Sequence, residues 1–381
     1  MTKPTRTVPL GQPTVGREEL DAVAAVLDSG WLSGAGPTCV AFEEEFAAAT
    51  GTRHALTTSN CGSALHLALQ VLGAGPGDEV IVSDYTFPAT SHSVAWTGAT
   101  PIFADVHEDT GNINVEAAAS LVGPRTVGII AVDLVGQPAD FDQLRALADK
   151  AGIWLVEDAA CSAGATYHGR PAGSIGADLA AFSFHGRKGI TAGEGGALVG
   201  DDEELMSRAR RLHTYGIAPA LSREGSVDLA IPEFAELGYN YRLSEVQAAI
   251  MRVQLGRLDS LVAARTHAAE FYNRELAGIE GISLPVVAPR RTPAWQSYLI
   301  DVHAPVDRNQ LAGNLRMLGV GCNFGTYASH LQPIYESKQD CPVSRSLFGR
   351  HLAIPMHANL TDEDLEYVVA SVRSAVTSST I

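Results

Sequence analysis

Lysine is rare in this chain. Only four of its 381 residues are lysines, and 27 lysines and arginines together face 43 aspartates and glutamates. The formal net charge of -16 leaves no general basic surface, so we expect neither nucleic acid nor an anionic membrane as a partner. An anionic substrate would therefore need a local group of cationic side chains.

Paired cysteines and long apolar runs are also missing. The five cysteines form no CxxC motif and their number is odd, which indicates reduced thiols and a cytoplasmic protein. The N-terminal residues contain no apolar core of signal-peptide length, and no stretch approaches the roughly 18 apolar residues of a membrane span. The twelve histidines show no metal-binding spacing such as HExxH, so we expect no metal site.

Short apolar segments with the composition of buried strands alternate with helical patterns. The clearest segments lie at residues 79–84, 100–106, 127–136, 153–160 and 179–185. This alternation predicts βαβ units around a mainly parallel sheet, with helices on both faces. Ligands of such sheets bind at the carboxyl ends of the strands, so Asp84, Asp158 and Ser183 are candidate site residues.

A long helical run at residues 243–276 leads away from this predicted sheet. A segment rich in proline and arginine follows it, and then a shorter set of strand and helix signals. We place the domain boundary within the long run. The prediction is a large domain at residues 1–255 and a smaller α+β domain at residues 256–381.

Lys188 has the least ordinary surroundings of the four lysines. It follows a buried-strand segment and lies in a loop rich in small residues, whereas Lys3, Lys150 and Lys338 have the settings of solvated charges. Burial disfavours an ammonium, so we expect a lowered pKa and an amine that can act as a nucleophile. An ordinary turn lysine is the alternative when this stretch is read alone.

Small and hydroxyl residues near Lys188 are suited to binding a phosphate. Ser183 offers a hydroxyl, and the glycines at positions 193, 195 and 196 would let the backbone approach a ligand closely. Gly62 and Ser63 stand where a strand meets a helix, and free amides at such a helix N-terminus attract phosphate groups. That second signal is weak alone, because many strand–helix turns contain glycine and serine.

An acid and an aromatic residue complete the set. Asp158 ends an apolar strand segment, so we expect its carboxylate in a partly dry site beside a positive charge, with a helix N-cap or turn role as the alternative. A protonated pyridine nitrogen is one such charge, and Phe87 offers a ring beside it. These groups match pyridoxal phosphate (PLP), whose ring needs an acid partner to act as an electron sink.

Six segments carry a family resemblance: SNCGSALHLAL, DYTFPAT, VEDAACSAGATYHGR, FSFHGRKGITAGEGGALV, LGYNYRLSEVQAAI and SHLQPIY, all between residues 59 and 335. In them the chain resembles the DegT/DnrJ/StrS family of PLP-dependent sugar aminotransferases. The resemblance implies the PLP-dependent transferase fold type I, with a mainly parallel seven-stranded sheet between helices and a smaller C-terminal α+β domain. It also implies a homodimer with active sites at the interface.

The resemblance gives each matching residue an expected role. Lys188 would bind the cofactor covalently and move the proton, Asp158 would pair with the pyridine nitrogen, and Phe87 would stack on the ring. The residues expected to hold the phosphate are Gly62, Ser63 and Ser183, with Asn240 reaching the phosphate of the neighbouring subunit. Lys188 also separates this chain from related dehydratases, which have histidine at that position.

The implied reaction moves an amino group from L-glutamate to a nucleotide-linked keto sugar by a ping-pong mechanism. A dTDP-4-keto-6-deoxy sugar, giving a 4-amino sugar, is the expected acceptor. The candidate substrate-binding residues are Arg242, His330, Tyr327, His185 and Arg187. The alternatives for two of them are a surface ion pair for Arg242 and a loop histidine with satisfied hydrogen bonds for His330.

Alternative functions stay open at this point. The nearer ones are an aminotransferase acting at sugar C3 or on a keto cyclitol, and the remote one is a non-catalytic regulatory or binding protein on the same fold. The sequence also departs from the family at three positions. Cys161 stands where Gln or His is frequent near the cofactor's phenolic oxygen, Gly62 replaces a usual Thr, and Asp133 replaces a frequent His. The contact between Cys161 and the cofactor is therefore left open.

Overall fold

The computed structural model describes residues 6–217 and 232–379 of the chain. The α-helices in this part are α1 (Arg17–Ser29), α2 (Pro37–Thr50), α3 (Cys61–Val71), α4 (Ala89–Thr97), α5 (Val115–Leu121), α6 (Phe141–Ala151), α7 (Glu203–Leu212), α8 (Glu245–Gly256), α9 (Leu258–Glu275), α10 (Arg308–Met317), α11 (Pro342–Arg350) and α12 (Asp362–Thr377). Many begin at a residue whose side chain accepts a backbone N–H of the first turn. Asn60 does so for α3 and Ser244 for α8, which is the usual way of satisfying these amides.

The strands of the described residues are β1 (His54–Thr58), β2 (Glu79–Ser83), β3 (Tyr85–Thr86), β4 (Thr100–Ala104), β5 (Thr126–Val132), β6 (Trp154–Asp158), β7 (Thr166–Tyr167), β8 (Arg170–Pro171), β9 (Leu179–Ser183), β10 (Gly196–Gly200), β11 (Ile282–Ser283), β12 (Arg291–Thr292), β13 (Tyr298–Val302), β14 (Asn323–Phe324), β15 (Tyr327–Ala328) and β16 (His351–Ile354). The five strand segments named from the sequence each overlap one of the longer strands. Those predictions are confirmed.

The central sheet has seven strands in the order β1-β10-β9-β6-β5-β2-β4. Six of them run in one direction, and only β10 is antiparallel to its neighbours β1 and β9. The predicted fold class, a mainly parallel seven-stranded sheet between helices, is thus confirmed. Strand β10 was not among the predicted segments, because the glycines around it read as a loop.

Helices cover both faces of this sheet. Val80 and Val82 of β2 point to one face and pack with residues of α3, α4 and α7, whereas Ile81 between them points to the other face and packs with α5 and α6. This is the period of two that a strand imposes on its side chains. Helices α2 and α8 cover a further part of the second face, where Phe46 packs on Phe182 of β9.

The helical run at residues 243–276 consists of two helices. Helix α8 ends at Gly256, and the backbone of Arg257 has a φ of -108°, outside the helical range. Glycine is a poor helix former, so the run breaks there. Beyond α9, the chain builds the antiparallel sheet β11-β13-β16-β14, whose apolar cluster also contains Val8 from the N-terminal segment. The division at residues 255 and 256 stays a prediction.

Among the described residues, no helix combines the length and the apolar composition that crossing a membrane requires.

Candidate active site

Several candidate residues meet at one edge of the central sheet. Ser183, the last residue of β9, pairs with Gly196, and Gly196 pairs with Thr58 at the end of β1. Asp158 is the last residue of the neighbouring strand β6. The carboxyl ends of β1, β6 and β9 therefore bring Asp158, Ser183 and the start of α3 together, as the sequence predicted.

Lys188 lies in the loop after β9, with its amine against a cysteine. Its Nζ donates a hydrogen bond to Cys161 Sγ at 3.1 Å. Burial lowers the pKa of Lys188, but the sulfurs of Cys161 and Cys61 and the carboxyl of Asp158 raise it by more, so the net pKa is raised. The prediction of a lowered pKa is wrong, because these acidic partners outweigh burial.

Asp158 is buried and doubly hydrogen-bonded. The Thr90 hydroxyl donates to its Oδ2 at 2.7 Å, and the Ala160 amide donates to its Oδ1 at 3.2 Å. Burial raises the pKa of this carboxyl, whereas the two hydrogen bonds and the Lys188 charge lower it, and the net pKa is raised. Thr90 was not among the predicted site residues. Its place in DYTFPAT, at the start of a helix after a strand end, is the signal that could have indicated it.

The turn before α3 only partly matches the expected phosphate site. The Ser63 amide donates to the side chain of Asn60 at 2.8 Å, and the Ser63 hydroxyl lies 3.1 Å from that of Ser59. The prediction of free amides is therefore wrong for Ser63, because the helix caps itself there. In the described part of the chain, the amides of Cys61 and Gly62 donate to no protein group.

Gly196 is needed for helix packing and not for a ligand. A Cβ at this position would lie 2.5 Å from the carbonyl carbon of Asn60 and 2.7 Å from the amide nitrogen of Cys61. The expectation that this glycine admits a ligand is corrected. It admits the backbone of the turn before α3, which brings that turn close to Ser183.

Phe87 and Tyr327 are neighbours at the outer side of this edge. Tyr327 of β15 pairs with Thr86 of β3, and its ring centroid lies 6.1 Å from that of Phe87. The Phe87 side chain is 64% exposed, so its ring is free to contact a bound group. The pairing of β3 with β15 thus brings a residue of the C-terminal part to the site.

His330 is buried and bound within the protein. Its Nδ1 lies 2.6 Å from Asp84 Oδ2, and the Arg345 guanidinium lies 3.5 Å from its Nε2. Both ring nitrogens thus have protein partners, which fits the alternative reading of His330 as a satisfied loop histidine. Asp84, His330 and Cys341 place three potential metal ligands within 4.8 Å of one another, but two of them already bind each other.

The other candidate cationic side chains are more exposed to solvent than His330. Arg187 and His185 are exposed, and Arg242 is half-buried with its guanidinium 5.4 Å from the ring centroid of Tyr215. Asn240 is exposed, and the neighbouring Tyr241 carbonyl accepts a hydrogen bond from the Ser59 amide at 2.6 Å. The segment with Asn240 and Arg242 therefore lies beside the turn before α3. No hydrogen bond joins it to Lys188 in the described residues.

Asp133, the third departure from the family, is buried beside other acids. Its Oδ2 accepts a hydrogen bond from Ser162 at 2.7 Å, and its Oδ1 accepts one from the Ala139 amide at 3.1 Å. Burial raises the pKa of Asp133 to about 6, despite these bonds. Burial and Asp133 also raise the pKa of the buried Glu157.

The residues present fit PLP. The cofactor carries an aldehyde, a basic ring nitrogen and a phosphate, and the sheet edge offers an amine at Lys188, an acid at Asp158 and a hydroxyl at Ser183. The uncapped amides of Cys61 and Gly62 add donors for a phosphate.

Comparisons with known proteins agree with this chemistry. A model of the DegT/DnrJ/EryC1/StrS aminotransferase family matches residues 13–373. The spore coat polysaccharide biosynthesis protein SpsC of Bacillus subtilis (strain 168) is 37% identical over 379 residues, covering 97% of each chain. Among solved structures, DesV of S. venezuelae is 38% identical with a TM-score of 0.86 over 94% of each chain. The sugar aminotransferase CalS13 of Micromonospora echinospora is 30% identical with a TM-score of 0.89, covering 97% of this chain and 100% of that chain.

A family match over nearly the whole chain and this fold lead to one conclusion: the chain belongs to the DegT/DnrJ/EryC1/StrS family and is a PLP-dependent sugar aminotransferase.

Proposed function

We propose that this enzyme moves an amino group from L-glutamate to a nucleotide-linked keto sugar, a dTDP-4-keto-6-deoxy sugar, to give a 4-amino sugar by a ping-pong mechanism. The observation that carries the proposal is the meeting of the Lys188 amine, the Asp158 carboxyl and the Ser183 hydroxyl at one sheet edge. The name of the relative SpsC, which refers to polysaccharide biosynthesis, supports a sugar acceptor.

The proposed roles follow from the chemistry of each side chain. When bound, PLP supplies a ring that takes up electrons from the carbon next to the amino group. Asp158 holds a proton on the pyridine nitrogen, and the Lys188 amine carries a proton to and from the reacting carbon. Ser183, the Ser63 hydroxyl and the amides of Cys61 and Gly62 bind the phosphate. A positioned acid–base group such as Lys188 contributes roughly 10²- to 10⁴-fold to the rate.

Two arginines support an anionic acceptor. Arg187 and Arg242 form no ion pair with a carboxylate in the described residues, although most arginines there do and the chain carries a net charge of -16. Free guanidiniums are suited to a diphosphate, which they bind through paired hydrogen bonds. His185, whose Nδ1 lies 3.3 Å from the Arg187 amide, and Tyr327 beside Phe87 are the further proposed substrate contacts. His330 would take part only through its contact with Arg345.

A half-reaction run backward tests the acceptor. The purified PLP form is offered one amino compound at a time: dTDP-4-amino-6-deoxy sugars, dTDP-3-amino sugars, amino cyclitols and L-glutamate. We expect the absorbance change from the pyridoxal to the pyridoxamine form with L-glutamate and with a 4-amino nucleotide sugar. A change with the 3-amino sugars or the amino cyclitols alone would overturn the acceptor while leaving the aminotransferase chemistry in place.

A further inference from the structure

A chain of buried hydroxyl groups ends on Asp158. The Thr90 hydroxyl lies 2.7 Å from Asp158 Oδ2, and the Thr86 hydroxyl lies 2.9 Å from that of Thr90. The exposed fractions of Thr86, Thr90 and Asp158 are 2%, 1% and 4%, so bulk water does not compete for these bonds. Such buried polar chains are strong when every member is satisfied.

The chemistry of the groups sets the direction of the hydrogen bonds in this series of hydroxyls. An ionised carboxylate only accepts hydrogen bonds, so Thr90 donates its single hydroxyl proton to Asp158. The Thr90 oxygen is then an acceptor, and Thr86 donates to it. The order is therefore Thr86 to Thr90 to Asp158, and this order holds only while the acid carries its charge.

We propose that Thr90, oriented by Thr86, is a positioning residue of the active site that fixes Oδ2 of Asp158 and keeps this buried acid ionised for the pyridine nitrogen of PLP. The inference rests on the proposed role of Asp158. Burial favours the neutral acid, and hydrogen bonds to the charged form oppose burial. Thr90 supplies the largest of the effects that lower the pKa of Asp158, ahead of the Ala160 amide and Lys188.

Other titratable groups lie near Asp158. Lys188 in the loop after β9, whose amine also contacts Cys161, lowers the pKa of Asp158. Besides burial, the charge of Asp158 in turn raises the pKa of Cys61 at the start of α3, of Asp133 after β5 and of Glu157 in β6. None of these hydrogen-bonds to either threonine in the described residues. Substitutions of Thr86 and Thr90 therefore remove the hydrogen bonds that lead to Asp158 without removing a bond to any of these groups.

Thr90→Val removes the hydroxyl but keeps the shape of the side chain. The test measures the dissociation constant of PLP from cofactor-free protein as a function of pH. A hydrogen bond to a charged group is worth enough that we expect binding to weaken roughly tenfold to a hundredfold. Without Thr90, Asp158 is protonated at a higher pH, so the acid midpoint of the binding curve moves up by about one pH unit for each tenfold loss. Thr90→Ser should restore both values, and Thr86→Val should move the midpoint up by less.

Thr97→Val is the matched control. Thr97 lies in the same helix, α4, and its hydroxyl donates to the Val94 carbonyl at 2.8 Å, so the same substitution there leaves Asp158 untouched. We expect its PLP binding curve to match that of the unaltered chain.

Three results would overturn the inference. The first is a Thr90→Val protein whose PLP affinity falls by the same factor at every pH. The second is a Thr90→Ser protein that does not regain the PLP affinity and the acid midpoint of the unaltered chain. The third is a Thr97→Val protein whose acid midpoint shifts as in Thr90→Val. If circular dichroism shows that Thr90→Val does not fold, the test passes to Thr86→Val. An acid midpoint of PLP binding that does not move in Thr86→Val would then overturn the inference. An unaltered chain that binds no PLP is a different result, because it contradicts the proposed function itself.

Discussion

Individual residues around Lys188 show how neighbouring groups decide the state of an amine. Lys188 touches Cys161, and the Cys61 thiol and the Asp158 carboxyl act on it as well, so its pKa rises although burial lowers it. The raised pKa favours the cationic form of Lys188 beside the candidate phosphate-binding residues. A cation there attracts an anionic cofactor before any bond to the amine forms.

Lys188→Ala tests the residue on which the reaction depends. We expect the variant to fold, to lack the absorbance band of lysine-bound PLP and to lose turnover by roughly 10²-fold to 10⁴-fold or more, because no amine carries the proton. Absorbance spectra and a glutamate half-reaction measure this. Lys150→Ala, an exposed lysine of α6, is the control and should behave as the unaltered chain. Normal turnover by Lys188→Ala would contradict the mechanism.

At the scale of elements, the site depends on how α3 meets the sheet. Helix α3 starts directly above Gly196 of β10, and no side chain separates the two backbones. The antiparallel strand β10 is thus the spacer that holds the turn before α3 next to the end of β9. Strands β3 and β15 act in the same way at the outer side, where they place Phe87 and Tyr327 together.

Gly196→Ala tests this close approach. The added methyl would overlap the backbone of Asn60 and Cys61, so we expect the free energy of unfolding to fall by about 1–3 kcal/mol, as for other overpacked sites. PLP affinity should fall as well, because the start of α3 must move. Urea unfolding and PLP titration measure both effects.

Gly313→Ala is the matched control, because a Cβ at this position in α10 meets nothing within 4 Å. It should raise stability by up to about 1 kcal/mol, the helix preference of alanine over glycine. Equal stability of Gly196→Ala and the unaltered chain would contradict the packing argument.

At the scale of the whole molecule, several large apolar side chains are exposed to solvent in the single chain. Examples at the surface are Trp31, Phe87, Trp96, Phe234 and Leu237. Exposed apolar surface of this kind is typical of interaction sites, and formation of the proposed homodimer would bury part of it. The ring of Trp96 lies 5.9 Å from that of His66, which contacts Tyr241 beside Asn240. Apolar surface and the proposed cross-subunit residue thus lie in one region.

Mixed dimers test whether Asn240 serves the neighbouring subunit. Lys188→Ala and Asn240→Ala subunits are each expected to have little activity alone. Mixed after unfolding and refolding together, half of the dimers would contain one of each, and each of these would have one intact site. Activity should recover to about a quarter of that of the unaltered enzyme, as two-fold symmetry requires. No recovery, with mixed dimers demonstrated by mass spectrometry, would place Asn240 in the site of its own subunit.

Comparison of sequence and structure shows where local patterns were sufficient. The parallel strands β2, β4, β5, β6 and β9 were predictable, because short apolar segments that alternate with helical patterns indicate buried strands directly. Strand β10 was not predictable, because the glycines around it are typical of a loop. The break at Arg257 was not predictable either, because the helical spacing of apolar residues continues across it.

The sequence by itself determined the chemistry of this protein: a lysine, an acid and a serine at strand ends of a parallel sheet, in segments that mark the family. Only the tertiary structure decided the state of these groups. The raised pKa of Lys188, the hydroxyl chain on Asp158 and the engagement of His330 by Asp84 depend on residues far apart in the chain. Hydrogen bonds and burial act over a few ångströms in space, and sequence spacing does not report those distances.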